Sequence, residues 1–431
     1  MKPRDGYYYC GEIFLNLGQK LLRAVLELQR FLSSRTALMR ASQVRELLKW
    51  IGRDVISLGG GIPDPSSFPA RDLREILDDV LSSRPEVALQ YAPTEGVDEL
   101  REELARFMGR RGIKASADNV VVTAGSQEAL ELLARILIDK GDAVFMENPT
   151  YLGAIQAFRI YEPRMLGVPL DGEGMRVDVL EGKLKRARAQ GLRVKAIYVI
   201  PTCQNPTGIS LSGDRRKRLL ELAEEYDFLV IEDDPYSYFV FEGASPPPLK
   251  SLDTSGRVIY LSTASKVLAP GLRVGWLVAE EELLDKVVTA KQAVTLQTST
   301  LSQFVLLEAL RRGVVERQLP RLRKIYRSKR DVMLEALDEY MPDGVKWTRP
   351  SGGMFVWLEV PEALDMSALL YRALRRYKVA YVPGTAFHVE GGGHNTARLS
   401  YSYPPVEAIR EAIRRLASLI SDSLHAPQGA S

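Results

Sequence analysis

The chain is short of the residues that build metal and disulfide sites. It holds two cysteines, Cys10 and Cys203, and three histidines, His388, His394 and His425. So few thiols make a disulfide framework or a zinc site a poor expectation. A reduced, cytoplasmic setting is the default that follows. Charge of one sign is also lacking. The net charge is +3, too small to argue for a nucleic-acid or anionic-membrane partner. No apolar run reaches the length that spans a bilayer. Asparagine is scarce, with five in 431 residues. That scarcity points weakly to a heat-adapted source that avoids thermolabile side chains.

What is present is an ordinary globular composition, 45% hydrophobic and 26% charged. At roughly 150 residues per domain the length suggests two to three domains. Residues 1–35 differ from the rest. They carry three consecutive tyrosines and an amphipathic helix pattern over 13–31, broken by charges such as Lys20, Arg23 and Glu27. Those charges interrupt any signal-peptide core. The segment reads as an N-terminal extension, and residues 425–431 read as a disordered tail.

From about residue 71 helix-like and strand-like segments alternate, the α/β pattern. Helical periodicity covers 72–82, 97–111, 127–138, 281–293 and 301–312. Short β-branched runs cover 119–123, 143–147, 195–200, 228–232 and 258–262. Runs of this kind suit strands buried on both faces of a mainly parallel sheet. From about Val345 shorter strands and helices suggest a smaller α+β unit.

The chemistry gathers just after those runs, where open α/β sheets bind their ligands. Lys266 lies in the hydroxyl-rich segment Ser262-Thr263-Ala264-Ser265, ahead of a Pro-Gly turn and Arg273. A shielded lysine amine can form a Schiff base with a carbonyl. The hydroxyls of Thr263 and Ser265 with the Arg273 guanidinium suit a phosphate. Together they point to pyridoxal 5′-phosphate. A lone lysine in a loop is otherwise a solvated surface group. Gly125-Ser126-Gln127 opens a helix whose N–H groups make an anion site, or simply a cap. Tyr151 could stack on a ring or pack in the core. Asn205 could donate to a ring oxygen or a carboxylate, or belong to a turn. The run Glu232-Asp233-Asp234 ends a buried strand, where a carboxylate needs a partner such as a protonated pyridine nitrogen. The alternative is a helix cap. Tyr236 could bond the ring's phenolic oxygen. Arg398 could hold an α-carboxylate through two parallel bonds.

Taken in order, these motifs resemble those of fold-type I PLP-dependent aminotransferases of class I/II. Within that class the chain is similar to kynurenine/2-aminoadipate and archaeal aromatic aminotransferases. The segments that carry the likeness include 57–63, 89–96, 204–208, 232–236, 265–266, 270–273, 350–355 and 398–401. They cover roughly residues 36–422. The resemblance implies a large domain, 71–320, with a mainly parallel seven-stranded sheet between helices. It also implies a small C-terminal domain, 321–422, which residues 36–70 join. Lys266 would carry the Schiff base and shuttle protons. Asp233 would meet the pyridine nitrogen, Asn205 and Tyr236 the ring oxygen, and Tyr151 the ring face. Ser126, Gln127, Thr263, Ser265 and Arg273 would hold the phosphate. Arg398, Asn205 and the backbone at Gly60 and Gly61 would hold the substrate carboxylate. Tyr91 would reach the phosphate of a neighbouring subunit in a homodimer. Ser42 and Arg45, on a helix expected over 39–49, would recognise the distal end of an acidic substrate. A solvated helix face is the other reading of Arg45. The implied reaction is ping-pong exchange between an amino acid and a 2-oxo acid such as 2-oxoglutarate. The competing readings are a PLP-sensing transcription regulator, which needs an upstream DNA-binding domain, and another PLP enzyme such as a β-lyase.

Overall fold

The computed structural model describes residues 29–39 and 54–425. The chain divides into two units, residues 1–41 and 42–431. In the first, the described residues form one exposed 3-10 turn, Ser34–Leu38, which Ser33 caps by accepting from the Arg35 N–H. The helix pattern of 13–31 falls almost wholly outside the described residues, as do residues 426–431, Ser42 and Arg45.

The second unit is built on a large sheet. Its strands are β2 (Val120–Thr123), β3 (Ala143–Asn148), β4 (Arg164–Asp171), β5 (Gly174–Met175), β6 (Val194–Val199), β7 (Leu229–Asp233), β8 (Val258–Thr263) and β9 (Gly275–Val278). Their order across the sheet is β2-β9-β8-β7-β6-β3-β4-β5. The central pairs β8-β7, β7-β6, β6-β3 and β3-β4 are parallel. β9 runs antiparallel to both its neighbours. Seven strands are expected from the family likeness; β4 folds back on itself to add the two-residue β5 as an eighth at one edge.

The β-branched runs become strands because helices cover both faces. Side chains of a strand alternate between faces. Accordingly Tyr198 and Ile231 pack in one core cluster, while their neighbours Ile197 and Val230 pack in another. Helices α1 (Asp98–Gly109), α2 (Ser126–Leu137) and α3 (Leu152–Arg159) belong to this layer. The lysine-bearing turn α4 (Ala264–Val267) follows β8 directly.

A smaller antiparallel sheet has the order β10 (Lys346–Trp347), β11 (Phe355–Glu359), β14 (Thr396–Ser400), β13 (Val382–Pro383). The short β1 (Ile56–Ser57) pairs in parallel with β12 (Val379–Ala380). α5 (Val314–Tyr340), 27 residues long, runs straight through Pro320. Proline removes one helix hydrogen bond and crowds the preceding turn. Burial of Val314, Val315, Leu322, Tyr326, Met333 and Leu337 offsets that cost. α6 (Val406–Leu424) packs on α5. None of the described helices is long and apolar enough to cross a membrane.

Candidate active site

The carboxyl ends of β2, β6, β7 and β8 open on one cavity of about 320 Å³. Gly60, Gly61, Ser126, Gln127, Tyr151, Asn205, Asp233, Tyr236, Thr263, Ser265, Lys266, Arg273 and Arg398 all line it. Tyr91 does not; it is 76% exposed, beside the 68% exposed Leu89.

One end of the cavity is built for an anion. Gly125 precedes α2 with φ +85°, and the first N–H groups of any helix lack intrahelical partners. Arg273 leaves the chain at φ +53°. Its Nη2 donates to Ala124 O at 3.0 Å and its Nη1 reaches Ser265 Oγ at 3.4 Å. The Thr263 and Ser265 hydroxyls lie 2.9 Å apart. The approach is close: a Cβ on Gly125 would sit 2.7 Å from Arg273 Nη2. Only glycine leaves that room.

The other end is built for a cation. Asp233 is 2% exposed. Its Oδ2 accepts from Tyr198 OH at 2.8 Å, while Oδ1 is buried with no partner. Burial pushes this carboxyl up to about 7, against the Tyr198 hydrogen bond, and the neighbouring Asp234 charge adds to the rise. Tyr198 has no place in the sequence motifs; it is an inward-facing residue of β6 whose role shows only once β6 and β7 are paired.

Between these ends stands the amine. Lys266 Nζ donates to Gly61 O at 3.0 Å. Burial and the nearby Arg398 and Arg273 charges bring its pKa from 10.5 down to about 8. A substantial neutral fraction is thus available near neutral pH, as a nucleophilic amine needs. Asn205 Nδ2 and Tyr236 OH lie 3.5 Å apart. Burial holds the Tyr236 hydroxyl above its ordinary range, so it remains a donor.

Arg398 is 3% exposed. Nη1 donates to Asn205 Oδ1 at 2.9 Å and Nη2 to Gly59 O at 2.8 Å, while Nε has no partner. The guanidinium lies 4.4 Å from the Phe355 ring centre and 5.0 Å from that of Phe387. Burial lowers its pKa to about 10. Phe355 stands within the quoted 350–355 motif, yet neither phenylalanine had a role that sequence could assign. Ile62, Leu152 and Pro270 add apolar wall.

An anion cradle, an unpaired buried carboxylate and a depressed lysine amine fit the phosphate, ring nitrogen and aldehyde of pyridoxal 5′-phosphate. Fold and cavity together define an enzyme that works through that cofactor. Residues 53–416 match the family model of aminotransferase class I and II. The chain is 46% identical to aromatic-amino-acid aminotransferase 1 of Thermococcus litoralis, over 96% of this chain and 99% of that one. It superposes on a kynurenine aminotransferase of Pyrococcus horikoshii, solved in complex with PMP, KYN and KYA, with TM-score 0.90. That pair is 47% identical, covering 93% and 99% of the two chains. The alpha-aminoadipate aminotransferase of Thermus thermophilus, complexed with N-(5′-phosphopyridoxyl)-L-leucine, gives TM-score 0.86. Identity there is 42%, covering 92% and 99%. The chain belongs to the class I and II aminotransferases, in the subgroup of aromatic, 2-aminoadipate and kynurenine enzymes. Its cofactor is pyridoxal 5′-phosphate.

Proposed function

We propose that this aminotransferase moves an amino group from an L-amino acid of 2-aminoadipate, aromatic, leucine or kynurenine type to a 2-oxo acid, with 2-oxoglutarate as acceptor. The exchange is ping-pong, and Lys266 carries the covalent link to the cofactor. The observation that supports this best is Lys266 Nζ, with its lowered pKa, in one cavity with Asp233 and Arg398. When bound, the cofactor supplies an electron sink for charge that develops at the substrate α-carbon. The chain's residues do the rest. Ser126, Gln127, Thr263, Ser265 and Arg273 bind the phosphate. Asp233 holds the ring nitrogen protonated. Asn205 and Tyr236 hold the ring oxygen, and Tyr151 covers the ring. Arg398, with Asn205 and the Gly60-Gly61 backbone, grips the α-carboxylate. Lys266 Nζ takes the proton from the α-carbon and returns it on the other side of the transfer.

A panel of amino donors against 2-oxoglutarate tests the reading. A productive donor converts the bound cofactor to its amine form, and 2-oxoglutarate converts it back. Release of ammonia and a 2-oxo acid from one substrate would instead indicate a β-lyase. Absence of turnover with every donor would favour a sensor.

The walls formed by Ile62, Leu152 and Pro270 suit apolar and aromatic side chains. Acidic substrates need a further cation, the role proposed for Arg45 beside Ser42. Loss of such a desolvated pair costs about 1.5–3 kcal/mol, roughly 10- to 100-fold in kcat/KM. Arg45→Ala is therefore expected to weaken 2-aminoadipate and glutamate by that factor and to spare phenylalanine and leucine. Equal losses for both classes would place Arg45 on the solvated surface.

The proposed active unit is a cytoplasmic homodimer in which Tyr91 completes the partner's phosphate site. Its loop is fixed by Thr300 Oγ1 on Gln90 O at 2.7 Å and Lys291 Nζ on Thr94 O at 2.9 Å. Tyr91→Phe removes one hydrogen bond to a charged group, and cofactor affinity is expected to fall roughly tenfold or more. A fully active monomer in sedimentation would refute the shared site.

A further inference from the structure

β7 ends on Asp233 and a second carboxylate, Asp234, follows it, each 2% exposed. Asp233 lines the cofactor cavity and Asp234 does not. Asp234 faces a different set of groups. Its Oδ2 accepts from Arg111 Nη1 at 2.6 Å, Ser237 Oγ at 2.7 Å and Tyr260 OH at 3.0 Å. Its Oδ1 accepts from the Ser237 N–H at 3.2 Å. Arg111 comes from the segment just after α1. It also bonds Ser237 Oγ and lies over the Tyr238 ring at 5.2 Å. Among the described residues it is the only basic side chain in an ion pair with Asp234.

Two buried carboxylates side by side oppose each other's ionisation. The groups that face Asp233 are Tyr198 from β6, Lys266 from α4, Tyr151, Tyr236 and Asp234 itself. Those that face Asp234 are Arg111, Tyr260 from β8, Tyr238, Glu232 and, farther off, Arg216. An Asp234 charge without its guanidinium would act on Asp233, as on Glu232, by raising its pKa. It would also act more on Asp233 than on a ring nitrogen beyond it. A proton shared between Asp233 and that nitrogen would then be drawn to the carboxylate.

We infer that Arg111 is a positioning residue for the cofactor site: by neutralising Asp234 behind the cavity, it keeps Asp233 charged and its free oxygen available to the ring nitrogen. This rests on the proposed pairing of Asp233 with the ring. The same network orients Ser237 and so braces the turn that presents Tyr236.

The test uses the cofactor-free protein and pyridoxine 5′-phosphate, a probe with no aldehyde for Lys266 to attack. Its dissociation constant is measured as a function of pH. The folded-state pKa of Asp233 is raised to about 7, so charge-dependent affinity is gained as pH rises through that value and lost below it. In Arg111→Met the midpoint is expected to move up by about one unit, which weakens binding roughly fivefold at about pH 7 and approaches roughly tenfold well below it. Arg111→Lys keeps the charge and is expected to titrate near the wild type. Arg111→Met/Asp234→Asn removes both charges and is expected to return the midpoint to the wild-type value or below. The probe's own titration is common to all variants, so differences report the protein. An unmoved midpoint in Arg111→Met, or no recovery in the double variant, would overturn the inference and leave Arg111 a purely structural ion pair. If Arg111→Met does not fold, Asp234→Asn alone decides. The midpoint is then expected to fall, and a fixed or raised one overturns the role. Asp233→Asn separates the two levels. If it keeps the wild-type midpoint, the pairing of Asp233 with the ring fails, and this inference with it. If it abolishes the titration while Arg111→Met leaves it in place, only the role of Arg111 fails.

Discussion

Lys266→Ala is expected to keep the fold and bind the cofactor, but to lose turnover by roughly 10⁴-fold. The size follows from losing two functions in one atom. In the proposed mechanism Nζ is both the nucleophile and the base that moves the α-proton. The variant gives up little structure, because among the described residues Gly61 O is the one hydrogen-bond partner of Nζ. The measurement is single-turnover kinetics with a good donor, alongside borohydride treatment. Borohydride should fix the cofactor to Lys266 in the wild type and fix none in the variant. Retention of full activity would end the assignment.

Asp233→Asn is expected to show the second-largest effect. Asparagine has nearly the same shape and can still meet Tyr198 OH, so the 2.8 Å contact and the end of β7 should survive. What goes is the charge opposite the ring nitrogen. Breaking a buried ion pair from one side costs about 3 kcal/mol or more, roughly a hundredfold in kcat at the low end. KM for the amino acid should change far less, since Arg398 and not Asp233 is proposed to grip the carboxylate. A loss confined to KM would point to a different role. Thermal unfolding gives the control. A buried carboxyl raised from 3.8 to about 7 destabilises the fold once the pH exceeds its ordinary value, and in full above 7. The variant should therefore melt no earlier than the wild type in neutral buffer.

Much of this site could be read from the sequence because of where parallel sheets put their ligands. Each β-branched run from 119 to 262 became a strand within a residue or two, and its trailing residues line one cavity. Order along the chain brought out Lys266, three residues past β8, and the acidic run at the end of β7, from which the family likeness chose Asp233. Three kinds of feature escaped. β4 is half exposed and includes Gly167 and Pro169, so it lacks an apolar run. α5 was hidden by Pro320, which ordinarily marks a helix end, and only tertiary burial carries the helix past it. The third kind is pairing across the chain. Tyr198 meets Asp233 because β6 and β7 are neighbours in register. Phe355 comes beside Arg398 through the β11-β14 pair, in which Trp357 is opposite Arg398. No local pattern encodes those meetings. Arg111 belongs with them, 123 residues from the aspartate it holds.

The stacking of Arg398 has a consequence for handedness. With Phe355 and Phe387 at its two ring contacts, the guanidinium offers a carboxylate its edge rather than its faces. A carboxylate held there is fixed in plane as well as in position. In the proposed complex the α-nitrogen would be held by the cofactor as the second fixed point, with Lys266 Nζ as the base in the same cavity. Two anchors and a single base would make the complex chiral. In that complex one enantiomer would turn its α-hydrogen toward Nζ; its mirror image would turn its side chain there, into the space the base must occupy.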